Sequence, residues 1–301
     1  MPPSTSKSYP KMCKEDSAAM WTSPAVTFKN CTHVFKAQHG LVWNRKQAFT
    51  RGAPYMGQKC TTSKCPLCPL TDGTAHILGE CTHPQMIAHR ISRHNQAVLI
   101  LQKALQKGTL GGFVTILDAT AKSDLPEDCI DTRIPAWVLP KVPEADRNKL
   151  RPDMMVFENL TPDMQDEFQL LTGASRVTAM KKLKVHLYEV GYTSNTRTDK
   201  LIKEKRQQHV ALIKAMTEEG WTVMYPKENI VALGTAGWVR QETKTLLQTW
   251  LPHDSLTVKA TLRKLSVHSA KKCMDHVITR RILEKGGQPG AGNRKAGGRT
   301  G

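Results

Sequence analysis

Cys65, Cys68, His76 and Cys81 stand in the spacing C-x2-C-x7-H-x4-C. Thiolates and a neutral imidazole match zinc in softness and tetrahedral geometry, so four such donors in one short stretch suit a closed structural Zn²⁺ site. Cys65-Pro66-Leu67-Cys68 is a tight turn that aims both thiolates at one point. Thr71-Asp72-Gly73-Thr74 is a polar turn before His76, and Ile77 and Leu78 carry an apolar stripe on to Cys81. Metal binding would stand in for the hydrophobic core that so short a segment cannot build. Cys60 lies outside the turn and His83 directly precedes Pro84, so both rank below these four. The competing account is a set of reduced, buried cysteines in an ordinary cytosolic fold.

A second chemistry lies further on. Arg151-Pro152-Asp153 comes immediately before the apolar run Met154-Met155-Val156-Phe157, and Glu189 closes an alternating run from Lys184 to Val190. If these two strands pair, two carboxylates meet at one edge of the sheet and offer hard oxygen ligands to Mg²⁺ or Mn²⁺. A cation so held activates water and stabilises a pentavalent phosphate, which is what phosphodiester hydrolysis requires. Two positions after Glu189 stands Gly191, so no lysine follows in an E-x-K arrangement. The helix expected from Arg197 to Glu219 supplies one. At about 100° per residue, Leu201, Leu212 and Met216 define an apolar face that includes Lys205, with Lys200, Lys203 and Lys214 on the far side. An ammonium in a core-facing stripe is costly without an anionic partner. Asp153 and Glu189 are the candidates, and snorkelling to solvent is the competing account. Gln208 and His209 flank the same face and could hydrogen-bond a phosphate or a carboxylate. Asp163 repeats the Pro-Asp pair but suits a helix start, and Asp118 suits an ordinary strand end.

These groups need a frame. From Pro84 to about Lys107 the pattern is helical, with Arg90, Arg93 and His94 sharing one basic face suited to nucleic acid. Residues 1 to 25 lack periodicity and are expected to be disordered. Residues 26 to 58 mix aromatic and basic positions (Phe28, Phe35, Trp43, Arg45, Lys46 and Arg51) and form an adapter into the knuckle. Residues 59–110 hold the knuckle and its basic helix. A second unit, residues 111–285, begins with a strand at Phe113 to Leu117, continues through the two acid-bearing strands and the Lys205 helix, and adds strands at Trp221 to Tyr225 and Ile230 to Leu233. Helices at 238–250 and 255–285 close it. Mixed strand and helix order makes this an α/β domain with a mixed sheet. The Gly-rich basic tail 286–301 is expected to be disordered.

The 44 Lys and Arg against 26 Asp and Glu give a net charge of +18 spread along the chain. Such a field attracts polyanions, nucleic acid foremost. Eight cysteines behind a start with no apolar signal argue against a disulfide scaffold. No apolar stretch approaches the roughly 18 residues of a membrane span.

The cysteine-histidine spacing, the following R-x2-R-H-N run from Arg90 to Asn95, the Pro-Asp strand, the acidic strand end and the helix bearing Glu204-Lys205 together resemble the C-terminal region of site-specific non-LTR retrotransposon (LINE-like) proteins. That family joins a CCHC zinc knuckle to a restriction-like endonuclease of the PD-(D/E)XK superfamily. The resemblance runs from Cys60 to about Thr235. It implies a restriction-endonuclease-like core. It makes Asp153 the Pro-Asp carboxylate, Glu189 the second acid, Lys205 the lysine moved to the following helix and Arg151 the basic residue before the Pro-Asp pair. It also implies nicking of a DNA target so that reverse transcription can start from the freed 3′ end, in the nucleus. Glu189 departs from the Asp often found there, the insertion between Met155 and Lys184 is long, and Gln208-His209 replaces a common tyrosine. The chain contains no Asp-Asp pair, so reverse transcriptase activity is not expected in it, and a reverse transcriptase encoded elsewhere would be a partner. A metal-dependent DNA endonuclease is the first reading. The alternative is an inactive binder of DNA or RNA derived from such an element.

Overall fold

The computed structural model describes residues 13–108, 112–117, 133–193 and 197–286. Asp118, the first twelve residues and the tail beyond residue 286 lie outside them. Four helices come first: α1 (Lys14–Ser17), α2 (Ala19–Thr22), α3 (Phe28–Gln38) and α4 (Arg45–Thr50). A small hairpin of β1 (Pro54–Tyr55) and β2 (Gln58–Lys59) leads to the cysteine-rich segment, followed by α5 (Pro84–Leu105). The sheet and its covering helices then follow as β3 (Phe113–Thr115), α6 (Glu144–Arg147), β4 (Met154–Phe157), α7 (Pro162–Leu170), α8 (Gly173–Met180), β5 (Lys184–Thr193), α9 (Thr198–Gln208), α10 (Val210–Glu219), β6 (Thr222–Met224), β7 (Ile230–Gly234), α11 (Gln241–Trp250) and α12 (Ser255–Glu284).

The sheet is mixed. β3, β4 and β5 run antiparallel in turn, whereas β6 and β7 both pair parallel to β5, β6 along its first half and β7 along its second. A parallel neighbour requires a long crossover, and α9 and α10 provide it. Because side chains alternate across a strand, Met154, Val156, Tyr188 and Val190 face a core shared with α5, α11 and α12. Met155, Phe157, Val185 and Leu187 face the opposite core, built with α7, α8 and α10. β4 is buried on both faces, and so is β5 apart from its ends, which explains their nearly continuous apolar sequence.

Several expectations are corrected here. β5 extends to Thr193 because β7 pairs with its second half, so Glu189 sits inside a central strand and not at a strand end or sheet edge. The single helix expected over Arg197 to Glu219 breaks at His209. The long insertion after β4 is filled by α7, capped through Thr161, and by α8. Residues 13 to 25 are not disordered: Met20 and Val26 pack with α3 and α12. A division near residue 110 separates no cores either, since α5 and the sheet share one cluster.

α12 connects these parts. Asp254 caps it by accepting from the Thr257 amide at 2.8 Å. Its first half enters the sheet core, and its middle packs on α2, α3 and the segment around Ile77. Near its end Arg280 is buried, 3.1 Å from Asp72 and bonded to Glu284, and Glu284 accepts from the Tyr55 hydroxyl at 2.9 Å. Burial would lower the Arg280 pKa, and the Asp72 and Glu284 carboxylates reverse that. Among the described residues no helix is long and apolar enough to cross a membrane.

Removing one member of a buried ion pair strands the other charge, at a cost of about 3–5 kcal/mol. Arg280→Met is therefore expected to lower the melting temperature by roughly 10 °C. Arg133→Ala, which breaks an exposed pair with Glu144, is expected to change stability by less than about 1 kcal/mol. Thermal melts of both variants check this; equal melting temperatures would remove the buried cluster as a determinant.

Candidate active site and metal cluster

The donor atoms of Cys65, Cys68, His76 and Cys81 all lie within 4.8 Å of one another, an arrangement that could hold a metal ion. Local structure accounts for each ligand. The Leu67 amide donates to Cys65 Sγ at 3.3 Å inside the C-x2-C turn, and the Cys65 amide donates to the Leu70 carbonyl at 2.8 Å. The x4 spacing is less obvious, because residues five apart sit about 140° from one another on an α-helix. His76–Glu80 instead forms a π turn, closed by the Cys81 amide on the His76 carbonyl at 2.9 Å. The wider turn brings the last two ligands to one side. His76 and Cys81 are buried, and His76 Nε2 lies 3.4 Å from Cys68 Sγ. The Cys65 thiol is pushed up to about 12 by its hydrogen bond to Cys81 and by burial, while that same bond lowers Cys81. A divalent soft-ligand ion such as zinc fits the donor set.

The second cluster forms where β4 begins. Met154 pairs with Tyr188 across the antiparallel ladder, so Asp153 falls opposite Glu189. The Asp153 amide donates to Glu189 Oε1 at 3.1 Å, and the Val190 amide donates to Asp153 Oδ2 at 2.6 Å. Lys205 Nζ donates to Glu189 Oε2 at 2.7 Å, and His209 Nε2 lies 2.7 Å from Oε1. His94 Nε2 lies 2.9 Å from Asp153 Oδ1. The Glu189 side chain is fully buried. Burial and the neighbouring Asp153 charge raise its pKa. Asp153 is held below the usual carboxylate range: burial works against this, and His94 and Lys205 outweigh it. Burial disfavours the Lys205 ammonium, but Glu189 and Asp153 raise its pKa, so it stays charged.

Gly191 bears on how α9 sits. A Cβ there would come within 2.6 Å of the Leu201 side chain, so any larger residue would require Leu201 to shift. Leu201 and Lys205 are four residues apart and share a helix face. The approach that seats Leu201 over Gly191 also carries Lys205 to Glu189.

A cavity of about 290 Å³ opens onto Asp153 and His94, lined also by Arg90, Asn95, Arg151 and Pro152 among others; Glu189 and Lys205 do not line it. The structure thus brings Asp153, Glu189 and Lys205 together, with Arg151 and Arg90 beside the opening. Gln208 is exposed and plays no supporting part in the geometry; His209, one residue on, faces Glu189. The signal for His209 was its spacing of four from Lys205. Arg93 does not share a basic face with Arg90: it is buried, with its guanidinium 4.3 Å above the Tyr192 ring. His94 faces a carboxylate before any ligand. Asp163 is exposed in the first turn of α7.

Comparison with protein-family models finds no match, and comparison with curated proteins finds none either.

The metal cluster is expected to retain zinc through purification, and Cys81→Ser or His76→Ala to lose most of it, measured by atomic absorption. Undiminished zinc in both variants would exclude this ligand set. Buried Arg93 has a separate consequence. His268 donates to the Arg93 carbonyl at 2.9 Å, and burial with the nearby Lys272 and Arg93 charges pushes its pKa down to about 4. A folded-state pKa below the unfolded value of about 6.5 stabilises fully above that pH, and the contribution is lost as pH falls toward about 4. The melting temperature is expected to fall across this window. His268→Gln should flatten the profile by an amount equivalent to roughly 3 kcal/mol at most.

Proposed function

We propose that the chain is a metal-dependent DNA endonuclease that nicks one strand by phosphodiester hydrolysis, with a restriction-endonuclease-like core of the kind found in non-LTR retrotransposon proteins. One observation carries this reading: two buried carboxylates from adjacent strands are joined to a charged lysine, and one of them, Asp153, lines a cavity flanked by Arg90 and Arg151. A structural ion pair would need neither the second acid nor the cavity, and perturbed acids at a cleft favour a functional site. The mixed sheet with helices on both faces supports the proposed core, and the overall positive charge supports a polyanionic substrate.

Asp153 and Glu189 would hold Mg²⁺ or Mn²⁺, and the bound cation supplies water activation and charge neutralisation at phosphorus. The chain's own residues do the rest. Asp153 is ionised and fixed in orientation by the Val190 amide and His94. Lys205, charged and aimed at the carboxylates, orients the attacking water and stabilises charge developing on the phosphate; its raised pKa suits this better than proton removal. Arg90 and Arg151 engage the backbone phosphates that flank the scissile bond. His209 lies behind Glu189, its Nε2 2.7 Å from Oε1. Zinc at the Cys65 cluster is structural, and it fixes the chain entering α5, which carries Arg90 and His94.

A second reading, binding without turnover, is favoured by the complete enclosure of Glu189, whose two oxygens already face Lys205 and His209.

Incubation with supercoiled plasmid and Mg²⁺ is expected to yield open circles. Asp153→Ala should abolish nicking, and Lys205→Met should slow it by about a hundred- to a thousandfold. Equal nicking by the parent and Asp153→Ala would discard the assigned site. Salt-sensitive binding with no nicking by any form would support the second reading.

A further inference from the structure

From Ser17 to Thr71 the chain carries no acidic residue, its longest such stretch, yet it holds Lys29, Lys36, Arg45, Lys46, Arg51, Lys59 and Lys64. Asp72, which ends the stretch, is buried against Arg280 and adds no free negative charge. Every Phe or Trp exposed among the described residues lies within it: Trp21, Phe35, Trp43 and Phe49, the last three between 36% and 49% exposed. An apolar ring left in water beside cations is not explained by the core, which Val34, Ala37, Val42 and Ala48 already serve from the inward side of the same segment.

The rings are held on a firm corner. Asn44 caps α4 by accepting from the Gln47 amide at 3.0 Å, and the Gln47 side chain donates to the Gly40 carbonyl at 2.9 Å, tying α4 to the end of α3. Phe35 packs on His39 with ring centres 4.4 Å apart, and the Arg51 guanidinium lies 5.8 Å from the Trp43 ring centre. Exposed rings and guanidinium groups on a segment without acidic residues match one ligand chemistry closely. Unpaired bases stack on rings, while the strand's phosphates find the cations; a duplex hides its base faces and cannot do the first.

We propose that the α3–α4 corner, through Phe35, Trp43 and Phe49 with Arg45, Lys46 and Arg51, is a stacking surface for single-stranded nucleic acid, separate from the cavity at Asp153. The proposal does not depend on cleavage, and absent nicking leaves it intact.

The test uses the full chain without Mg²⁺, a short fluorescein-labelled oligothymidylate, and a labelled duplex of the same length, read by fluorescence anisotropy. Trp43→Leu, Phe49→Leu and Phe35→Leu keep apolar bulk but lose the ring. Each is expected to weaken single-strand binding about five- to a hundredfold, with duplex affinity changed by less than about twofold. Trp43→Phe and Phe49→Tyr are expected to bind as the parent does, and exposed positions should leave the melting temperature unchanged. Unchanged single-strand affinity in the Leu variants would overturn the proposal. So would losses equal on single strand and duplex, or a dimer, seen by light scattering, that the Leu variants disperse.

Discussion

Asp153 and Glu189 place two carboxylates side by side on the most deeply buried strands of the molecule, and much of the surrounding structure answers that charge. Taking an ion out of water costs several kcal/mol even after relaxation, and two like charges add repulsion. The chain meets this with an ammonium from α9, an imidazole at the α9–α10 break, a second imidazole from α5 and a backbone amide of β5. Exposed pairs such as Lys200 with Glu204 contribute about 0–1 kcal/mol, so they set nothing comparable. An arrangement this costly, with Asp153 at a cavity, is the main support for the proposed cation-dependent reaction.

The same requirement ties distant segments to one another. His94 reaches Asp153 only because α5 lies across the sheet, and α5 is held at its start by the cysteine-rich segment and along its length by α12. α12 is in turn anchored to that segment through Arg280 and Asp72. The knuckle is thus coupled mechanically to the acid pair through two helices, about 30 Å long or more at 1.5 Å per residue. Arg93 shows what this interface demands. It turns inward onto Tyr192, and of the two arginines of α5 only Arg90 lines the cavity.

Much of this was legible in the sequence, and what was not has physical reasons. The ligand spacing, the Pro-Asp pair, Glu189 and the inward Lys205 could be read because each depends on local geometry: a turn, a strand register or a helix face. The apolar runs at Met154 to Phe157 and Lys184 to Val190 marked the central strands for the same reason. Arg93 was misplaced because helical periodicity tells which residues share a face, and α5 is covered on more than one face by partners far off in sequence. His209, four residues from Lys205, shares its face, whereas its partners Tyr225 and Glu189 are not neighbours in the chain and only the fold shows them. Helices α1 to α3 are not legible because their buried positions are few and their partner, α12, lies more than two hundred residues away.

Gly191 sits where these placements converge. Its position is where a strand-borne lysine would share a face with Glu189, two residues apart on the same side of the pleat. Leu201 packs over Gly191, and Lys205, one turn further along α9, reaches the Glu189 carboxylate. The positive charge beside Glu189 is thus borne by a helix, four residues from a break. A lysine on a strand is placed by the sheet alone, whereas Lys205 is placed by three things at once: the absent Cβ at 191, the packing of Leu201 and the bend at His209. Any one of them, changed, would move the ammonium without touching either acid.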